Sequence, residues 1–402
     1  MMKKLHYQEI EGNSSKFFLL VGILGCIILF ALGATYYMEH HGHHVTGMTN
    51  QVVWGMPHVF AIFLIICASG ALNIASIGTV FGKSMYKPLA RLSCLLALAL
   101  LAGGLAVLVL DLGRPDRLIV AMTYYNFKSI FAWNIYLYTG FFAIVIVYIW
   151  TMMDRTVSKY YKIAGTTAFI WRLALTTGTG SIFGFLVARQ AYDAAIMAPM
   201  FIVMSFSFGL AAFLLVLMFS YQWTERELGD KVVIRLKNLL GVFVAGVMYF
   251  VIAKHLTNLY ATEHHAVEAF ILSDGGMITK LFWIVQLGLG SILPLILLYS
   301  PKTANSRNAI ISACSLILVG GIAQVYVILI GGQLFPLQLF PGMEVSSSFF
   351  DGVVNTYSPT PAEILLGLGG IALSLIIVTF AVKFLKFLPV SLADDVVDPH
   401  HS

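Results

Sequence analysis

Asp111-Leu112-Gly113-Arg114-Pro115-Asp116-Arg117 closes a long apolar run that begins near residue 89. It sets two acids and two guanidinium groups where such a run meets water, in a chain whose apolar segments are otherwise nearly free of charge. An ionisable group at that depth is costly, so the first inference is a functional site with a nearby partner. A carboxylate and an arginine across a Gly-Pro turn suit chemistry that passes protons to or from a polar headgroup.

The rest of the chain shares this apolar character. Of its 402 residues, 59% are hydrophobic and only 11% charged, and mean hydropathy is +0.87. Ordinary soluble domains carry about 25% charged residues. The expected fold class is therefore all-α integral membrane, because helices satisfy their own backbone groups inside a bilayer. The net charge of +5 comes from basic residues spread over short loops, a pattern that gives no footing to nucleic acid. Cys26, Cys67, Cys94 and Cys314 stand singly in apolar segments, with no CxxC or CxxCH spacing. That argues against covalent haem, an iron–sulfur cluster or structural zinc, and for buried thiols.

Apolar stretches of about 20 residues, the length that crosses a bilayer, fall near 17–38, 56–80, 89–112, 130–152, 162–186, 198–222, 238–261, 279–299, 309–332 and 363–388. The expectation is one polytopic domain over 1–402 with about ten transmembrane helices. The first stretch ends in Tyr36-Tyr37-Met38 without a small-residue cleavage site, so it reads as an uncleaved anchor. The fifth is the least apolar, since Arg172 lies inside it. Lys and Arg gather at the N-terminus, in the even-numbered connections and at the C-terminal end, as with Lys16, Lys83, Arg155, Arg226, Arg307 and Lys383. The odd-numbered connections carry only Arg114, Arg117, Lys128 and Arg189. Positive residues stay inside, so both termini are expected in the cytoplasm and the protein in the cytoplasmic (inner) membrane. The Asp111 turn would then face outward, with two other segments. His40-His41-Gly42-His43-His44 has metal-binding spacing but reads as a solvated loop. The connection 333–361, with Pro336, Pro341, Pro359 and Pro361, is either a docking surface or a plain loop. No connection is long enough for a soluble domain, so a catalytic domain or cluster carrier would be a separate polypeptide.

Polar groups collect at the outward span ends. His58 follows Trp54-Gly55-Met56-Pro57, Asp111 ends the third span, Trp133, Asn134 and Tyr136 begin the fourth, and Lys254, His255 and Asn258 lie near the end of the seventh. A histidine, a carboxylate, an amide and tyrosines at one level can hold a quinone: donors reach its carbonyls, and His58 or Asp111 exchanges its protons. The competing account is that His58 and Asn134 only join adjacent helices. His58 and His255, the only histidines inside spans, could ligate a b-type haem, although such pockets normally need histidines deeper than these, which lie near the edge. Arg172 cannot be neutralised and needs a partner or a water-filled cavity. Backbone carbonyls, water and Asp111 are its candidates, and it lies either on a proton path with His255 or in a structural contact. Gly178, Gly180 and Gly184 permit close helix packing.

Several motifs together resemble the NrfD/PsrC family of quinone-reactive membrane subunits, over roughly 50–390. They are Trp54-Gly55, Leu110-Asp111-Leu112-Gly113-Arg114-Pro115-Asp116-Arg117, Asn126-Phe127-Lys128-Ser129-Ile130-Phe131-Ala132-Trp133-Asn134, Gly178-Thr179-Gly180-Ser181 and Pro361-Ala362-Glu363-Ile364-Leu365. The segments Tyr36–His44 and Trp54–Phe63 look closest to the branch linked to dissimilatory sulfite reductase. The resemblance implies two four-helix bundles, about 56–186 and 198–332, flanked by helices 17–38 and 363–388. It also implies a quinone pocket in the first bundle, with His58 and Asp111 at its core. Some relatives carry an acid where this chain has Asn134, which orients but takes no proton.

The expected function is that of a quinone/quinol-interacting subunit, with menaquinone or ubiquinone as substrate and no haem or iron–sulfur cluster of its own. Trp54, His58, Asp111, Arg114, Arg117, Trp133, Asn134 and Tyr136 would hold the quinone. The implied partners are an extracytoplasmic iron–sulfur protein, a multihaem cytochrome and other membrane or cytoplasmic subunits of a sulfite reductase-linked complex. Alternatives are a hydrogenase membrane subunit, a secondary transporter or ion channel, and a plain membrane anchor. A transporter predicts polar residues near the midplane and helices broken at paired positions, whereas the polar groups here lie mostly at one face.

Overall fold

Each apolar stretch becomes a helix, as it must where no water can satisfy backbone groups. The computed structural model describes residues 6–12, 14–337 and 352–397; Pro341 of the long connection lies outside them. Among the described residues, nine helices are long and apolar enough to cross a membrane. They are α1 (Ser15–His41), α2 (Met56–Thr79), α3 (Ser84–Leu110), α4 (Ile130–Met153), α6 (Met197–Trp223), α7 (Asp230–Tyr260), α8 (Met277–Tyr299), α9 (Arg307–Leu334) and α10 (Pro361–Phe384). The remaining expected span is α5 (Tyr161–Gly184), a helix of similar length whose Arg172, threonines and glycines lower its hydropathy.

Helix contacts close into two rings. In the first, α2 meets α3, α3 meets α4, α4 meets α5, and α5 returns to α2; in the second, α6, α7, α8 and α9 do the same. Contacts of α6 with α2 and α5, and of α9 with α2, join the rings. Helix α10 lies against α2 and α3, and α1 against α10. Burial follows this order: 89% of the most apolar window of α2 is enclosed, against 17% for α1. The α2–α6 crossing is tight because Gly70 and Gly209 face each other, and a Cβ on either would strike the opposite backbone.

Helix α2 breaks at Leu72, and a neighbour repairs the break. The Ser93 hydroxyl of α3 donates to the Ala71 carbonyl (2.7 Å) and accepts from the Ala75 amide (3.1 Å). A freed backbone group in a bilayer needs such a partner. Two spans contain π-helical turns, Leu281–Ile292 in α8 and Val327–Gly331 in α9. The two terminal segments meet at one face: β1 (Glu227–Leu228) pairs in parallel with β2 (Ser391–Leu392), Tyr7 bridges to Pro389, and Arg226 donates to carbonyls of both terminal segments. The opposite face carries the Asp111 turn.

Candidate functional site

Asp111 caps the end of α3, and His58 sits in the first turn of α2, after Gly55 and Pro57 set the direction in which the helix starts. The α2–α3 contact brings His58 Nδ1 to 3.0 Å from Asp111 Oδ2. The Asp111 side chain is 1% exposed, while the imidazole is 23% exposed. The two sit at ion-pair distance without hydrogen-bond alignment, and neither carboxylate oxygen of Asp111 receives a hydrogen bond. A buried carboxylate left this way is expensive.

The turn after Asp111 is shaped for its neighbour. Gly113 adopts φ +65°, and the His43 ring packs against its open side. His43 Nε2 lies 3.1 Å from the Asp111 carbonyl oxygen. Part of the histidine-rich loop therefore roofs the site.

Glu363, at the start of α10, makes the contrast. It is also fully buried, yet it accepts from Tyr357 Oη (2.7 Å), Gly47 N (2.9 Å), Thr360 N (2.8 Å) and Thr360 Oγ1 (3.0 Å). Tyr357 Oη in turn accepts from Met56 N at 2.6 Å, which staples the start of α2 to α10. One buried acid is saturated, and the other is open.

A family profile described as polysulphide reductase, NrfD, matches residues 44–337. The chain belongs to the NrfD family. It is 29% identical over 396 residues to an Hdr-like menaquinol oxidoreductase integral membrane subunit of Archaeoglobus fulgidus, spanning 98% of this chain and 99% of that one. It is 27% identical to a putative dimethyl sulfoxide reductase membrane subunit of Halobacterium salinarum, over 91% and 90% of the two proteins. It is 24% identical to a polysulfide reductase chain of Wolinella succinogenes, over 71% of this protein and 96% of that one.

Around the pair, this NrfD protein places the other sequence candidates variously. Trp54 lies four residues before His58: its ring meets Phe131, Phe183 and Tyr192, and its backbone exchanges two hydrogen bonds with the Gln333 amide (2.9 and 3.0 Å). Asn134 is saturated. Its Nδ2 donates to Ile130 O (2.9 Å) and Gly178 O (3.2 Å), and its Oδ1 accepts from Thr179 (3.4 Å), so its amide joins α4 to α5. Trp133 and Tyr136 are about half exposed and donate to Phe127 O and Met122 O, holding the α3–α4 connection. Arg114 forms a two-pronged pair with Asp116 (2.9 and 2.8 Å) on the exposed turn, and Arg117 is exposed beside it. The hydrogen bonds from Arg114 hold the Asp116 carboxyl below its ordinary range.

Arg172 is away from Asp111, buried to 1% exposure. Its Nη2 donates to Asn73 Oδ1 (3.0 Å) at the break in α2, and its guanidinium lies over the rings of Phe169 and Phe206 at 5.1 and 5.0 Å. Its carbonyl accepts from Ser69 and Thr176, so a polar file runs along α5.

His255 sits in the other ring of helices, with Nδ1 2.6 Å from Glu268 Oε2. Asn258 Nδ2 donates to Glu268 Oε1 at 2.8 Å. Glu268, His43 and the Tyr357–Glu363 staple escape sequence reading. Each depends on a connecting segment that looks solvated, and burial arises only when loops fold over span ends. Among the described residues, no His/Cys/Asp/Glu group is placed to hold a metal ion.

Proposed function

We propose that this protein is the quinone-reactive membrane subunit of a multi-subunit respiratory oxidoreductase. The observation that carries the reading is the His58–Asp111 pair. A buried carboxylate without a hydrogen-bond donor stands beside a partly exposed imidazole, at the edge of the apolar region where a lipid-borne headgroup travels. Bound there, a quinone (menaquinone or ubiquinone) supplies two-electron, two-proton chemistry. With Nδ1 turned to Asp111, His58 keeps Nε2 for a quinone oxygen or a quinol proton. While His58 holds a proton, ionised Asp111 balances the charge of the imidazolium; Asp111 takes or returns the second proton once the imidazole is neutral again. Trp54 walls the site. The menaquinol oxidoreductase relative supports a quinol partner and favours menaquinone.

The electrons pass to or from an outward iron–sulfur protein, in a complex that also holds a multihaem cytochrome and further membrane and cytoplasmic subunits. Its setting is dissimilatory sulfur metabolism, a reading supported by the Tyr36–His44 and Trp54–Phe63 resemblance and by the likeness to the polysulfide reductase chain. The loop charges support cytoplasmic termini in a cytoplasmic membrane.

Asp111→Asn and His58→Ala in the assembled complex test the reading. Quinol-linked electron transfer is expected to fall by about 100-fold, the scale of a lost acid–base group, while the subunits still co-purify. An unchanged rate in both variants removes it.

A further inference from the structure

In the second ring of helices lies another imidazole–carboxylate pair, on different elements. Glu268, 0% exposed, holds His255 Nδ1 at 2.6 Å and the Asn258 amide at 2.8 Å. Lys254, 4% exposed, precedes His255 on α7. Lys254 and His255 face a cavity of about 20 Å³, together with Gln286 of α8 and Gln324 of α9. Gln286 Oε1 and Gln324 Nε2 are buried without partners. A cavity of that size with several polar atoms around it holds about one water molecule. The π-helical turns Leu281–Ile292 and Val327–Gly331 supply Gln286 and Val327 to its wall, and such turns gather at functional sites.

From this arrangement we propose that Lys254, His255 and Glu268 form a second proton-exchange site, distinct from the His58–Asp111 pair. It takes up a proton and gives it back during quinol-linked turnover. With Nδ1–H donated to Glu268, the neutral His255 ring presents Nε2 as a base. Ionised Glu268 and Lys254 then balance, so a proton arriving from the cavity water leaves a net positive charge in an apolar surround. That charge is costly, so the proton is held only while a compensating change lasts. Uptake and release thereby become steps that turnover can drive.

The proposal rests on the quinone reading, and its test separates the two. The complex, with its partner subunits, is reconstituted in lipid vesicles, and protons moved per electron are recorded alongside quinol-linked electron transfer. Glu268→Gln and, independently, Lys254→Gln are expected to keep electron transfer within about twofold while protons per electron drop to the number that quinol chemistry alone accounts for. An unchanged proton ratio in both variants overturns the proposal. So does a wild type that moves no protons beyond those of quinol, or an assembled variant that loses electron transfer in parallel. Asp111→Asn in the same vesicles reports on the quinone reading alone, through the rate.

Discussion

Two buried acids near the same membrane face, Asp111 and Glu363, show what one residue can tell. Glu363 is encircled by four donors that tie the start of α2, the loop at Gly47 and the cap of α10 together. A carboxylate so occupied is a structural part. Glu363→Gln is expected to lower stability by about 1–3 kcal/mol, the cost of disrupting buried charged hydrogen bonds. Thermal unfolding of the detergent-purified protein would show it, with the rate per assembled complex keeping the wild-type value; a lost rate at unchanged melting temperature would move Glu363 into the site. Asp111 could be singled out from the sequence because an acid ending an apolar run is visible as such. The occupation of Glu363 and Asn134 was not visible, since hydrogen bonds from Tyr357 or Thr179, or to Gly178, depend on tertiary neighbours. The pairing of Arg114 with Asp116 two residues on is legible only in part, since the sequence shows the two charges side by side but not their two-pronged geometry.

At the level of helices, hydropathy was enough to find every long element, because the bilayer leaves the backbone few choices. Even α5, with a guanidinium in its middle, forms in full. The π-helical turns of α8 and α9 left no trace in composition, since they differ from an ordinary helix only in which carbonyl each amide reaches. Contact partners were equally hidden, although small residues point to them. Gly70 and Gly209 let α2 and α6, the main seam between the two rings, approach backbone to backbone. Gly209→Ile should force these helices apart at a cost of about 1–3 kcal/mol, the usual penalty for overpacking. Lower thermal stability and poorer membrane yield would follow. The same change at Gly22 on α1, where a side chain meets nothing, should leave both measurements alone; equal losses at the two positions would refute the close crossing.

For the molecule as a whole, two imidazole–carboxylate pairs occupy separate rings, and a short series of contacts connects the elements that carry them. The Trp54 ring, four residues before His58, lies 6.4 Å from that of Tyr192. Tyr192 Oη donates at 2.6 Å to the carbonyl of Leu329, inside the π-turn of α9 whose Val327 and Ile328 line the second cavity. Gln333, at the end of that helix, holds the Trp54 backbone from the other side. A shift of Trp54 when a headgroup enters would therefore reach the π-helical turn of α9 through these contacts. Contact alone does not establish coupling; an element whose state both sites bias does. Tyr192→Phe removes the pull on Leu329 while keeping the aromatic packing. With the proton ratio as readout, this variant is expected to transfer electrons within about twofold of wild type but to move fewer protons per electron, midway towards Glu268→Gln. Adding Glu268→Gln to it should change the ratio no further than Glu268→Gln does alone. Additive losses would mean that Tyr192 acts by a separate route, and a full wild-type ratio in Tyr192→Phe would cut the bridge.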